Sequence, residues 1–138
     1  MPKSVDFEKY TEFVNEVTSN ESKDYISFNS RCFEIQSGDD GIPIHRLITA
    51  ALGMGAESGE FTEVVKKIVF QGKPVNEDNI FHMKRELGDI MWYVAQACMS
   101  LDTTIDEIIE MNVEKLQARY PGGSFDVHHS ENRAEGDV

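Results

Sequence analysis

Two acidic segments, residues 57–60 (ESGE) and 86–89 (ELGD), share the spacing carboxylate-x-x-carboxylate. Residues three apart lie on nearly the same face of an α-helix, so each segment would direct two carboxylates toward one point. Two such helices in antiparallel contact would bring four carboxylates together. The chain carries 25 acidic against 13 basic residues, so one acidic pair alone would be a weak indication of a site. The recurrence of the same spacing is the stronger signal.

Both acidic pairs lie on helical stripes whose other members are largely apolar. Burying ionised carboxylates without a partner is costly, and four that converge would repel one another and take up protons. A bound cation removes both costs, and a set of oxygen ligands favours a hard ion such as Mg²⁺ or Mn²⁺. Gly53 lies on the same side and could leave room for a ligand. The pattern therefore predicts a hard-cation site between two helices.

The composition restricts the partners and the location of the protein. The formal net charge of -12 and pI of about 4.6 argue against nucleic acid or an anionic membrane as the main partner. A nucleotide ligand is compatible with this charge if metal ions and local cations offset its phosphates. Cys32 and Cys98 are too few and too far apart for a disulfide framework or a zinc site. With no signal-like amino terminus and no long apolar run, we expect a soluble cytoplasmic protein.

Hydrophobic periodicity predicts an all-α fold, a bundle of four to five helices. Asn76 and Thr104 are predicted N-caps, and Thr104-x-x-Glu107 has the pattern of a capping box. Residues 1–121 are predicted to form one helical domain, followed by a polar tail at 122–138 that could pack on a neighbouring subunit. The predicted helices cover about residues 4–19, 21–36, 44–70, 76–101 and 104–119.

The two acidic pairs, followed by Tyr93 and by residues 112–121 (NVEKLQARYP), resemble the MazG-type all-α nucleoside triphosphate pyrophosphohydrolases. The resemblance covers about residues 45–121. The run at 115–127 (KLQARYPGGSFDV) is most similar to small single-domain members encoded by tailed phages, including phages of cyanobacteria. The resemblance implies a homo-oligomer, a dimer or a dimer of dimers, with its acidic site near a subunit interface. It also implies cleavage of a nucleoside triphosphate to the monophosphate and pyrophosphate.

The resemblance further implies roles for individual residues. Lys67 stands where deoxycytidine-type relatives place a tryptophan, so base preference is not carried over. Glu60 is our choice for the carboxylate that accepts the proton of the attacking water. The implied metal ligands for Mg²⁺, or Mn²⁺, are Glu57, Glu60, Glu86 and Asp89. The implied substrate-binding residues are Lys67, Tyr93, Asn112, Lys115 and Arg119.

Deoxynucleoside triphosphates are the predicted substrates, with dGTP and dCTP favoured and nucleotide-pool control as the role. Tyr93 could pack against the deoxyribose, and Asn112 offers both a donor and an acceptor. Related chemistry on a guanosine alarmone or on phosphoribosyl-ATP is an alternative. A non-enzymatic helical module that binds a protein partner is another. A di-iron carboxylate bundle is disfavoured because it needs Glu-x-x-His motifs, which the acidic pairs lack.

Overall fold

The computed structural model describes residues 3–133 and 135–137, and these residues form seven α-helices and no strand. The predicted all-α class is therefore confirmed. None of the described helices is both long enough and apolar enough to cross a membrane. The helices are α1 (Phe7–Val17), α2 (Asn20–Lys23), α3 (Tyr25–Ser37), α4 (Ile44–Phe70), α5 (Glu77–Ser100), α6 (Ile105–Arg119) and α7 (Val127–Glu131).

Several helices begin after a residue whose side chain accepts a hydrogen bond from a backbone N–H of the first turn. Asn76 begins α5 in this way, and Thr104 begins α6 by accepting from the N–H of Glu107. Asp24 accepts the N–H of the residue three further on and is the N-cap of α3. The predicted single helix at 21–36 is therefore wrong at this point, since Asp24 separates α2 from α3. A carboxylate that caps a new helix satisfies N–H groups that lack intrahelical partners.

The chain divides after Ile44 into two compact units. The first contains α1, α2 and α3. Within it, the ammonium of Lys23 donates a hydrogen bond of 3.1 Å to the carbonyl of Asn15, which joins α2 to the end of α1. The second unit contains the remaining helices and all of the predicted site residues.

Helices α4 and α5 run antiparallel in the second unit. Near the start of α4, Arg46 Nε donates a hydrogen bond of 2.8 Å to Oε1 of Gln96 near the end of α5. Further along α4, Glu57 meets Asp89, which lies earlier on α5. Residues later in α4 therefore lie beside residues earlier in α5, as in any antiparallel pair of helices. This arrangement is the one that the two acidic pairs require in order to converge.

Gly53 allows the ring of Tyr93 on α5 to pack directly on the backbone of α4. It is buried, and a Cβ atom at this position would overlap the ring of Tyr93. The space that the sequence suggested for a ligand is therefore filled by the Tyr93 ring. A glycine in a helix interior costs about 1 kcal/mol relative to alanine. The packing of the aromatic ring against the bare backbone explains why that cost is tolerated here.

The protomer buries few of its apolar side chains. Among the described residues, the buried apolar side chains are Ala50, Val64 and Cys98, whereas Leu52, Phe70 and many others are largely exposed. Large apolar patches on a soluble protein's surface mark sites of association.

The tail after Tyr120 folds back onto α6. Arg119 donates through Nε and Nη2 to the two carboxylate oxygens of Asp137, at 2.7 and 2.8 Å. The ammonium of Lys115 lies 3.5 Å from the same carboxylate, whose side chain is only 8% exposed. The hydrogen bonds from Arg119 are the main reason that the pKa of Asp137 is lowered from its ordinary value of 3.8. A bidentate pair of this kind fixes both the position and the orientation of the tail.

We expect Gly53→Ala to lower the free energy of unfolding by about 1 kcal/mol or more, because the added methyl group must displace Tyr93. Gly88→Ala is the matched control, since it lies within α5 and a Cβ added there would meet no neighbouring group within 4 Å. That control should be neutral or slightly stabilising through helix propensity. Urea denaturation measures both, and equal effects of the two substitutions would contradict the packing of Tyr93 on Gly53.

The lowered pKa of Asp137 predicts a pH-dependent contribution to stability. A carboxyl whose pKa is lower in the folded state stabilises the fold above its unfolded pKa, here about 3.8, and this contribution is lost as the pH falls through the folded value. Asp137→Asn should therefore melt below wild type near pH 7, with the difference shrinking below about pH 3.8. Melting curves from pH 2.5 to 7 measure it, with Asp40→Asn in an exposed loop as the control for lost charge. A difference independent of pH would contradict the ion pair.

Candidate functional site

Three carboxylates from two helices converge in the second unit. Helix α4 supplies Glu57, and α5 supplies Glu86 and Asp89, with one oxygen of each lying within 4.8 Å of the others. Glu60 is exposed and lies outside this group of three. The structure thus brings together three of the four acidic residues singled out in the sequence, and leaves the fourth at the edge facing solvent.

The proximity of these groups changes the protonation of Glu57. The neighbouring carboxyl group of Glu86 is the largest cause that raises the pKa of Glu57 above its ordinary value of 4.5. Burial and the negative charges of Asp89 and Glu60 raise it further. The carboxylates therefore disfavour the ionised form of Glu57, and a bound cation would relieve this repulsion.

Glu86 is the most deeply placed ligand. Its Oε1 lies 3.0 Å from Nε2 of His82, one turn earlier on α5, so the imidazole N–H can donate to this oxygen. Its Oε2 is buried and has no hydrogen-bond partner among the described residues. A buried carboxylate oxygen without a partner is unfavourable, and a cation would satisfy it. The donor set therefore fits a hard metal ion, with His82 orienting one ligand from outside the cluster.

An open cavity of about 310 Å³ adjoins the carboxylates and is lined by Glu57, Asp89, Trp92 and Tyr93. The predicted substrate residue Tyr93 thus lies beside the acidic cluster. Trp92 was not among the residues predicted from sequence, although its position three residues after Asp89 places it on the same side of α5. The Trp92 and Tyr93 rings lie edge to face, with 4.9 Å between their centroids.

The predicted phosphate-binding residues occupy a different place in the protomer. Asn112 and Lys115 line a second cavity of about 490 Å³ along α6, whose opposite wall is formed by residues 135–137. Arg119 is held by Asp137 next to it. None of these residues lines the carboxylate cavity. The chain therefore presents the carboxylates and the cations as two separate sites.

Lys67 lies apart from both cavities among the described residues. Its ammonium is 3.3 Å from Oε1 of Glu63, one turn earlier on α4, and its side chain is about half exposed. The same glutamate pairs with Lys66, and these two ammonium groups lower the pKa of Glu63. This arrangement is an ordinary surface ion pair, and Lys67 lines neither the carboxylate cavity nor the cavity along α6.

Comparison with known proteins identifies the class of this site. Residues 47–124, more than half of the chain, match the MazG nucleotide pyrophosphohydrolase domain. The chain is also 37% identical over 81 residues to the Gene 37 protein of Mycobacterium phage L5, an alignment that covers 58% of this chain and 71% of that protein. No solved structure matches the chain. The matched segment contains the acidic cluster, both cavity-lining aromatic residues, and Lys115 and Arg119, here called the α6 cations. The chain therefore belongs to the MazG nucleotide pyrophosphohydrolase family and is an enzyme of the nucleoside triphosphate pyrophosphohydrolase class.

Proposed function

We propose that the protein hydrolyses deoxynucleoside triphosphates to the monophosphate and pyrophosphate, with Mg²⁺ as the metal. The observation that supports this most directly is the buried, unpartnered Oε2 of Glu86 within a group of converging carboxylates. Family membership supports the reaction class, and metal dependence is a property of MazG enzymes. Glu57, Glu86 and Asp89 would hold the metal, with Glu60 added from the exposed edge.

When bound, Mg²⁺ supplies charge neutralisation of the phosphate oxygens and lowers the pKa of water. The residues of this chain supply the rest. Glu57 and Asp89 provide ligand oxygens from facing helices, and their convergence fixes where a triphosphate can approach. His82 holds the Glu86 carboxylate in one orientation. Such a rigid arrangement aligns the attacking and leaving oxygens at little entropic cost.

Glu60 is the proposed general base. It lies one helical turn from Glu57, its side chain is exposed, and its charge contributes to the raised pKa of Glu57. A carboxylate at the edge of the cluster can accept a proton from water and return it to solvent. The buried position of Glu86 suits it less well to that exchange.

Lys115 and Arg119 are the proposed phosphate-binding residues. A guanidinium that already binds a carboxylate through two hydrogen bonds has the geometry to bind a phosphate in the same way. Asp137 would have to be displaced for this to occur. Asn112, on the same face of α6 and lining the same cavity, would add an amide contact.

The position of Tyr93 supports the proposed preference for deoxynucleotides. We also propose that dGTP and dCTP are the favoured substrates and that the enzyme controls the nucleotide pool. The Tyr93 ring is wedged over Gly53 beside the carboxylates, so it has little freedom to move away from a sugar bound there. A ring in contact with C2′ would exclude a 2′-hydroxyl. The relative from a Mycobacterium phage suits enzyme action in the cytoplasm of an infected host.

We also propose a homo-oligomer, a dimer or a tetramer, as the active form. The exposed apolar side chains of the protomer support this, since their burial against a second copy would stabilise both. Gly55 and Gly59 on α4 have no atom within 4 Å of the position of a Cβ, so a second helix could approach the backbone closely there. Nucleic acid and membrane are not proposed as partners, given the net charge of -12.

A panel of nucleoside triphosphates tests the proposed reaction, and Asp89→Asn tests the site. With Mg²⁺ we expect pyrophosphate release from deoxynucleotides at higher kcat/KM than from ribonucleotides. Asp89→Asn should lower kcat/KM by at least about 100-fold. In chelator it should be no less stable than wild type, because it removes a like charge from the cluster.

The panel includes guanosine alarmones and phosphoribosyl-ATP, and Asp106→Asn on the exposed start of α6 serves as the control substitution. Absence of pyrophosphate from every substrate, or full activity in chelator, would refute the proposal.

Asp137→Asn tests the phosphate-binding role of the α6 cations. Because the carboxylate of Asp137 competes for Arg119 and Lys115, its neutralisation should tighten the binding of inorganic pyrophosphate several-fold. Calorimetry at low salt measures the Kd, and Glu131→Gln, an exposed tail residue, controls for the loss of one charge. Equal or weaker binding by Asp137→Asn would show that these cations serve the tail and not the substrate.

A further inference from the structure

The aromatic pair beside the acidic cluster has surface left for a ligand. The Trp92 and Tyr93 rings are nearly perpendicular, at 87°. An edge-to-face pair uses only one of the four ring faces, since one ring presents its edge. Trp92 is 55% exposed although it is the largest side chain of the chain and lines a cavity together with two carboxylates. Its indole is therefore available for contact within the site.

Two neighbours on α5, Tyr93 and Asp89, define the surroundings of Trp92. The Tyr93 ring packs on the α4 backbone at Gly53 and cannot move further toward α4, and the Trp92 ring lies edge to face against it. Asp89, one turn earlier, belongs to the acidic cluster. A group that lies on the indole is thus held at a set distance along α5 from the carboxylates.

The cavity is suited to one end of a nucleotide. Its volume of about 310 Å³ lies at the lower end of the roughly 300 to 1,000 Å³ typical of ligand pockets. Its carboxylate side repels phosphate unless a cation intervenes, whereas its aromatic side offers a flat apolar surface. A nucleobase is planar and apolar on its faces, and stacking on an indole is favourable for every base.

We propose that Trp92 is the stacking platform for the nucleobase of the substrate, with Tyr93 forming the adjacent wall and Gly53 setting the position of Tyr93. This inference rests on the proposed function, because it takes the ligand of the carboxylate cavity to be a nucleotide. Stacking on one indole face recognises the base as a class and provides little discrimination among bases. Trp92 therefore contributes affinity, and selection among bases must come from polar groups elsewhere.

The single tryptophan of the chain makes this inference directly measurable. With excitation at about 295 nm, emission reports on Trp92 alone. Titration with dGMP and Mg²⁺ should quench it to saturation, since stacking brings the base onto the indole. The same titration with 2-deoxyribose 5-phosphate, which lacks only the base, should leave the emission unchanged. Free N-acetyltryptophanamide corrects for absorption by the nucleotide.

Variants separate stacking from packing. Trp92→Leu should weaken dGMP binding about tenfold by calorimetry, equivalent to about 1.4 kcal/mol, without altering binding of the base-free sugar phosphate. Trp92→Phe should retain most of the affinity. Phe81→Leu, an exposed aromatic residue of α5 that does not line this cavity, is the matched control and should bind as wild type does.

Unquenched emission with dGMP, or unchanged dGMP affinity in Trp92→Leu, would overturn the proposal. So would a change in sedimentation of Trp92→Leu with affinity per site preserved, which would make Trp92 a subunit contact. These outcomes are distinct from failure of the proposed function. A protein that binds dGMP on Trp92 but releases no pyrophosphate would retain the stacking site, and one that hydrolyses triphosphates with unchanged KM in Trp92→Leu would lose it.

Discussion

The mutual repulsion of three carboxylates is the constraint around which the second unit is arranged. Glu57, Glu86 and Asp89 are held by two helices with one oxygen of each within 4.8 Å of the others, and the Glu86 carboxyl is the main cause that raises the pKa of Glu57. The two helices that carry these charges are in contact where the Tyr93 ring of α5 packs on the α4 backbone at Gly53. The same feature that brings the charges together also places Tyr93 beside them. The positions of the carboxylates and the shape of the cavity beside them thus depend on one helix contact.

Local features of the sequence were sufficient for much of this arrangement. Helices α4 and α6 have the bounds that hydrophobic periodicity predicted, and Thr104 caps α6 as its spacing to Glu107 indicates. Both kinds of inference use interactions between residues close in sequence, which helix geometry determines. The error at Asp24 has the same origin. A lone aspartate inside an apolar pattern can face solvent or cap a new helix, and periodicity does not distinguish the two.

Features that depend on contacts between distant segments were not predictable in this way. The packing of the Tyr93 ring on Gly53 can be predicted only when it is known which helix faces α4. The spacing from Asp89 places Trp92 on the acidic side of α5, but the cavity that it lines also requires Glu57 from α4. Asp137, 18 residues after Arg119, pairs with it only because the tail reverses direction after α6. The family resemblance identified Lys115 and Arg119 on α6 as candidate site residues. It could not indicate that both contact Asp137 of the same chain.

The separation of carboxylates and cations in the protomer bears on how a triphosphate could engage both. The Asp137 carboxylate contacts both Arg119 and Lys115, whereas a pyrophosphate group carries several negative charges. Because Asp137 belongs to the same chain as Arg119 and Lys115, it competes for them as a weak ligand at high local concentration would. A multiply charged phosphate can overcome that advantage because each additional charge adds a hydrogen-bonded ion pair with the same cations. Asp137 therefore occupies the cations of α6 in the described structure, and the proposed binding of phosphate there requires a ligand that displaces this carboxylate.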